Sequence, residues 1–359
     1  MVLDVKALLA KYEPKEFKKI DVNRQVFGAR FSSSGKYLVS GDFDGRIRRW
    51  DATAPELTEL DALEGHSGWP GAVAFSAADE TTFFTADSWG QIRCWPLGRE
   101  AAKPKWTLQE AHSGWVRKLV VSPDGKLLAS CGADGAVRIW STTDGSAVAS
   151  WLDHGCHVFE LVFHPNGETL FSGDFFGKVR QWDLKKKESV REFDASELFI
   201  EHRLQEVGGV RSLAVSPDGK TVAVGGMHPK SGGFVQGEPV VLLFDLKSGK
   251  LQKTFIFGKA DEGFVCDLQF HPDGFLMAVT SGQPGKGKLI FQRLEDEKPF
   301  FESTKMPNCH ALSFHPESYR MAVTATNKQS NGNGRGLVKE GEYLGNTSPV
   351  HLFLLPKPE

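Results

Sequence analysis

Apolar positions along this chain gather in short runs, each bounded by Gly, Asp, Ser or Pro. Leu127-Leu128, Val137 and Ile139-Trp140 are typical: β-formers in brief stretches with turn residues on both sides. Only Val5 to Tyr12 carries a helical spacing, with Val5, Leu8, Leu9 and Tyr12 forming one short apolar face. No longer window keeps a helical period. The pattern predicts an all-β chain preceded by a short helix.

The runs repeat. Phe31 to Asp51 (FSSSGKYLVSGDFDGRIRRWD), Val121 to Ser141 (VSPDGKLLASCGADGAVRIWS) and Phe163 to Asp183 (FHPNGETLFSGDFFGKVRQWD) align along their whole length. Each reads as strand, Gly-containing turn, strand, tight turn ending in Gly, and a third strand ending on an aromatic residue. Weaker copies run from Phe75 to Pro96, Val215 to Asp245, Phe270 to Gln292 and Phe314 to Leu354. The third strands end on Trp50, Trp95, Trp140, Trp182, Phe244, Phe291 and Phe353. A period of roughly 40–45 residues between the first four, with wider gaps later, is that of propeller blades. Seven units predict seven blades.

Finer motifs carry a family resemblance. The dipeptides Gly65-His66 and Ala111-His112, the SPDGK turns at Ser122 and Ser216, and Trp-Asp at Trp50-Asp51 and Trp182-Asp183 recur at the repeat spacing. In these features the chain resembles the WD-repeat (β-transducin repeat) family over about residues 16–355. The resemblance implies a seven-bladed β-propeller closed by an N-terminal strand, with Glu16 to Val22 completing the last blade. Residues 1–15 are then an extension holding the short helix, 16–355 a single propeller, and 356–359 a tail. It also implies a hydrogen-bonded set within a blade, most complete as His112, Ser130, Asp134 and Trp140. There Asp134 would bond His112, His112 would bond Ser130, and Ser130 the Trp140 indole. Such a hydroxyl is buried against an indole rather than facing a substrate, so the set reads as structural, not as a hydrolase triad. Other repeats match in part. The second has His66, Thr85 and Trp95 with Trp89 at the Asp position; the fourth has His154, Ser172 and Trp182 with Phe176 there. The first keeps Ser40, Asp44 and Trp50 without the His, and the last three keep mainly the aromatic anchor.

Composition narrows the chemistry. The 359 residues include 43 basic and 45 acidic side chains, a formal charge of −2 that offers no general attraction to nucleic acid. Five cysteines without a CxxC pair fit a reducing compartment, and a cytoplasmic location is expected. Asp4 and Lys6 interrupt the N-terminal apolar stretch, so neither a signal peptide nor a membrane span is expected. Asp153 to His157 is rich in ligand residue types, but His154 belongs to the repeat, and neither a metal nor another cofactor is expected. Phosphate-loop, metalloprotease, hydrolase-elbow and dinucleotide fingerprints are missing from the sequence.

Strand parity points to one face. Segments 194–208, 227–239, 282–288 and 326–348 exceed the repeat's usual length. All four are blade-to-blade links or connections between second and third strands, which emerge on the same side. That side also collects Phe43, Trp69, Trp89, Trp115, Arg117, His157, Phe159, Phe175, Phe176, Arg211, Phe264 and His310. Trp and Arg are the residue types most enriched at binding hot spots. The expected function is a non-catalytic scaffold, monomeric on its own, that binds a protein or peptide on this face. One alternative is a propeller enzyme or small-molecule binder at the central opening, where His157, His310, Arg117 and Arg211 converge without a carboxylate pair. Another is nucleic-acid binding through the same aromatics and arginines, against which the near-neutral charge stands.

Overall fold

Strands this short cannot bury a sheet on their own, so each repeat closes into a small antiparallel sheet that packs face to face with its neighbours. The computed structural model describes residues 5–100, 103–202, 205–230, 236–282, 286–316, 319–327, 336–337, 343–344 and 347–356. Seven four-stranded sheets form the blades of a β-propeller. Blade 1 comprises Arg30–Phe31, Tyr37–Gly41, Ile47–Asp51 and Thr58–Leu63, from the innermost strand outwards. Blades 2 to 6 begin with innermost strands Ala72–Phe75, Val116–Val121, Val158–Phe163, Ser212–Val215 and Phe264–Phe270.

Blade 7 is assembled from both ends of the sequence. Cys309–Phe314, Arg320–Ala325 and Val350–Leu354 supply three strands, and Lys15–Ile20 pairs antiparallel along Val350–Leu354 as the fourth. The closing strand therefore starts one residue earlier than the sequence suggested and ends at Ile20. Val22 turns away from the sheet and is buried between blades 7 and 1 beside Leu38, Trp50 and Leu352. Closure covers an edge that would otherwise expose a row of unpaired backbone groups.

The hydrophobic core is divided among the blade interfaces. Phe83, Trp95 and Val39 fill the gap between blades 1 and 2, and Val137, Ile139, Leu170 and Trp182 that between blades 3 and 4. The helix Val5–Tyr12 docks on blade 6, where Leu8 and Tyr12 are buried and the Tyr12 ring meets Phe275 edge-on at 4.8 Å. Val5 is exposed, so the apolar face is narrower than the spacing suggested.

Two of the long segments are more regular than the sequence indicated. In place of a loop over 227–239, the second and third strands of blade 5 (Thr221–Lys230 and Gln236–Asp245) stay paired as far as Lys230 and Gln236. Segment 194–208 holds a 3-10 turn, Ser196–Leu198, and a hairpin of Phe199–His202 with Gln205–Gly208. Within 326–348 a short pair joins Gly336–Leu337 to Tyr343–Leu344, and most of the remainder lies outside the described residues, as do residues 283–285.

Removing residues 1–22 is expected to uncover the edge of Val350–Leu354, lower the melting temperature and promote association. A second truncation that removes only residues 1–13 separates loss of the helix from loss of the strand. Size-exclusion chromatography and thermal melting read both. If the longer truncation stays monomeric with unchanged melting, the closing strand is dispensable.

Candidate functional site

A buried network underlies the face that carries the aromatic residues. In blade 3 the Trp140 indole N–H donates to Ser130 Oγ at 2.8 Å, His112 Nε2 lies 2.7 Å from the same oxygen, and His112 Nδ1 lies 2.9 Å from Asp134. An indole can only donate, so the hydroxyl accepts from it and donates its own hydrogen bond to His112 Nε2. The single imidazole N–H, on Nδ1, then goes to the carboxylate, so the indole, the hydroxyl and both ring nitrogens of this network are satisfied. Burial pulls the His112 imidazole below its ordinary pKa despite Asp134. Burial also works against the charge on Asp134, but hydrogen bonds from His112 and Arg138 outweigh it and hold that carboxyl well below the usual carboxylate range.

Blades 2 and 4 build the same chain from another position. His66 Nδ1 lies 2.9 Å from Asp87, with Thr85 and Trp95 completing the set at 2.6 and 2.7 Å. His154 Nδ1 lies 2.8 Å from Asp174, with Ser172 and Trp182 completing it at 2.6 and 2.7 Å. The carboxylate is therefore present in both blades. Trp89 and Phe176 do not replace it, because the Asp stands two residues after the hydroxyl rather than four. In blade 1, likewise, the buried carboxylate is Asp42, neutralised by Arg48 Nε at 3.0 Å, while Asp44 pairs outside with Arg24.

The last three blades lose donor and acceptor together. Strand register places Val224, Val279 and Val323 where blades 2 to 4 have Thr85, Ser130 and Ser172. Their anchors are Phe244, Phe291 and Phe353, and all three valines are fully buried. A phenyl ring has no N–H, so nothing beneath it needs a hydroxyl; the pair becomes apolar without stranding a polar group.

Asp87 connects the network to the surface. Its Oδ1 accepts from the backbone N–H of Trp89 at 2.9 Å and Gln91 at 3.0 Å, and its Oδ2 from Gly68 at 3.2 Å. The neighbouring Ser88 backbone N–H donates to Trp69 O, and Trp69 N–H to Ser88 Oγ, both at 3.0 Å. One buried carboxylate thus fixes the backbone around two exposed indoles, Trp69 at 44% and Trp89 at 69% exposure. Gly90 ends this turn at φ +93, and a Cβ there would meet His112 O at 1.9 Å. The turn is seated on the next blade that closely.

The aromatics form a collar around one end of the central opening. Phe27 stacks on Phe43 at 4.3 Å; Phe43 meets Trp69 at 5.2 Å, Trp69 meets Trp115 at 6.0 Å, and Trp115 returns to Phe27 at 5.9 Å. Arg117 lies over Trp115 at 4.1 Å, and Arg211 over Phe159 and Phe264 at 4.5 and 5.5 Å. A second branch joins Phe159, Phe175 and Phe176 to Phe199 on the extra hairpin. Trp115, Phe43 and Phe175 are half-buried by this mutual packing, whereas Trp69, Trp89 and Phe176 project. His157 is exposed beside Phe175, and His310 is half-buried, with its pKa lowered to about 4 by burial. Sequence reasoning missed Phe199, Asp42, Asp87 and Asp174, and gave Phe27 no role as the stacking partner of Phe43. The Asp residues were legible as the first acidic residue at or just beyond the end of each second strand. Among the described residues no group of three or more His, Cys, Asp or Glu side chains could hold a metal ion.

A seven-bladed ring with this internal set defines the class, and comparison with known proteins agrees. The family described as WD domain, G-beta repeat matches residues 18–51, 102–141 and 145–183. The chain is 29% identical over 241 residues to small ribosomal subunit protein RACK1y of Oryza sativa subsp. japonica, covering 54% of this chain and 69% of that protein. It is 28% identical over 236 residues to small ribosomal subunit protein RACK1 of Drosophila melanogaster, covering 54% and 72%. The periodic tryptophan protein 2 homolog of Dictyostelium discoideum is 24% identical over 298 residues, which span 82% of this chain and 30% of that longer protein. The matched segments are WD repeats, and the seven blades around them resemble those of the WD-repeat family.

The paired exchange of donor and acceptor gives a thermodynamic test in blade 3. Ser130→Val alone strands the Trp140 N–H and is expected to cost about 1–3 kcal/mol. Adding Trp140→Phe removes the orphaned donor, so the double variant should lose less than the sum of the two single losses. Denaturant unfolding of the four proteins measures the difference; simple additivity would mean that indole and hydroxyl are not coupled. The lowered His112 pKa adds a sign: this contribution is complete above about pH 6.5 and is lost on acidification.

Proposed function

We propose that this propeller is a non-catalytic scaffold that binds a protein or peptide on the face carrying the aromatic collar. The observation that carries the reading is the pair of exposed indoles, Trp69 and Trp89, held by one buried carboxylate and continuous with Phe43, Phe27 and Trp115. Large apolar side chains on a fixed backbone lose little conformational entropy on binding. The relatives are WD-repeat proteins, and the RACK1 proteins are named as small ribosomal subunit proteins. The Ser–His–Asp arrangements argue against catalysis, because each hydroxyl is buried under an indole that occupies it. A monomeric, cytoplasmic protein is the matching form. Its five free cysteines accord with a reducing compartment, and no described helix is long and apolar enough to cross a membrane.

Trp69→Ala and Trp89→Ala are expected to weaken binding of a partner isolated from the source cells by at least 2 kcal/mol in combination, more than about thirtyfold, with melting unchanged. Lys126→Glu and Lys220→Glu, on the turns of the opposite face, should leave affinity as it is. Calorimetric titration of each variant decides. Binding that survives the tryptophan changes and disappears with the lysine ones puts the partner on the other face.

A further inference from the structure

Below the collar the innermost strands share an irregularity. In blades 3, 4, 6 and 7 the pairing register shifts between Val116 and Lys118, Val158 and Glu160, Val265 and Asp267, and Cys309 and Ala311. The extra residues are Arg117, Phe159, Cys266 and His310. Arg211 takes the corresponding place immediately before Ser212–Val215 in blade 5. A bulge leaves its extra residue outside the ladder and re-aims its side chain. Here it gathers these residues into a throat around the central opening.

The charges in this throat do not balance. One residue deeper, cations and anions are matched: Lys118 with Glu160 at 2.6 Å, and Asp267 with Arg30 at 2.6 Å. Arg117 and Arg211 have no such partner. Among the described residues neither guanidinium makes a hydrogen bond or ion pair, and the Arg117 Nε is buried without an acceptor. Both instead lie over the single ring of Phe159, Arg117 at 5.4 Å and Arg211 at 4.5 Å. Burial lowers the pKa of both arginines, and the nearby charge of Arg117 lowers that of Arg211 further. The titratable neighbours in the throat supply no anion. Burial keeps the Cys266 thiol protonated, with its pKa raised to about 12, and His310 neutral. A half-buried charge without a counter-charge is costly, and two beside each other more so. Stacking on aromatics holds both forks in place, their donors unused and ready for a planar anion.

We propose that Arg117 and Arg211 form a carboxylate-binding throat that receives an acidic side chain from the protein or peptide seated on the aromatic collar. This rests on the collar being the binding face. A peptide carboxylate fits better than a free inorganic anion because the rim above the throat is apolar. Its ligand must therefore bring apolar surface together with its charge.

The test uses the full chain with two short peptides, one with Glu and one with Gln between flanking leucines, and with inorganic phosphate as a third ligand. Calorimetry at low salt should show the Glu peptide binding at least about tenfold more tightly than the Gln peptide, close to 1.4 kcal/mol. Arg117→Met with Arg211→Met should erase that preference while the melting temperature holds or rises, since two unpaired charges leave a half-buried site. Cations serving the fold would instead lower it on removal. Equal affinity for the two peptides, absence of binding by both included, overturns the throat, as does a preference that persists in the double variant. Phosphate binding through the same arginines without any Glu preference would make this a free-anion site and overturn the peptide assignment. The two readings fail separately. If Trp69→Ala disrupts partner binding but the arginine variants do not, the collar stands and the throat falls; if Trp69→Ala has no effect, the collar itself falls.

Discussion

The buried indole N–H sets the terms for half of this molecule. Each of Trp95, Trp140 and Trp182 fills a gap between blades, and filling it takes a hydrogen-bond donor out of water. A hydroxyl two places along the neighbouring strand answers the donor, an imidazole answers the hydroxyl, and a carboxylate answers the imidazole. The last member is the useful one. Asp87 has acceptor capacity left after His66, and it spends that capacity on backbone amides at the surface. A packing demand in the core thereby becomes a rigid backbone beneath Trp69 and Trp89.

The other half of the ring solves the same packing problem without polar atoms. Phe over Val in blades 5 to 7 fills similar space and asks for no partner. Those blades also carry the lengthened elements, including the strands of blade 5 that stay paired beyond the sheet. The hairpin linking blades 4 and 5 reaches back to the collar through Phe199. The face therefore combines turns fixed from below with extensions added from the side, around one throat. The closing strand Lys15–Ile20 joins the two ends of the sequence in blade 7, and the helix before it docks on blade 6.

Much of this was legible in the sequence because the repeat is a packing unit. Turn glycines and terminal aromatics recur wherever a blade must fill the same gap, and they located the strands; the closing segment followed from the family resemblance. The Asp positions were misread for a physical reason. A carboxylate can reach the imidazole from two places in the same turn, as Asp134 and Asp87 do, so aligning one blade on another hid Asp42, Asp87 and Asp174. Segment 227–239 resembled a loop because it exceeds the repeat's usual length, yet the strands at both of its ends continue the ladder and pair Met227 with Pro239. The bulges left no mark in composition. They arise from strand register, and register placed Arg117 and Arg211 around one Phe159.

The central claim is that a buried chain of hydrogen bonds, ending at Asp87, holds the exposed tryptophans in position. Amide hydrogen exchange in a Thr85→Val variant tests it directly, because that change breaks the chain at the hydroxyl and leaves the surface residues untouched. Exchange is expected to quicken at the Gly68, Trp89 and Gln91 amides, while amides in the strands of blade 6 keep their wild-type rates. Unchanged protection at those three amides, or a uniform loss across all blades, would contradict the coupling between core and binding face.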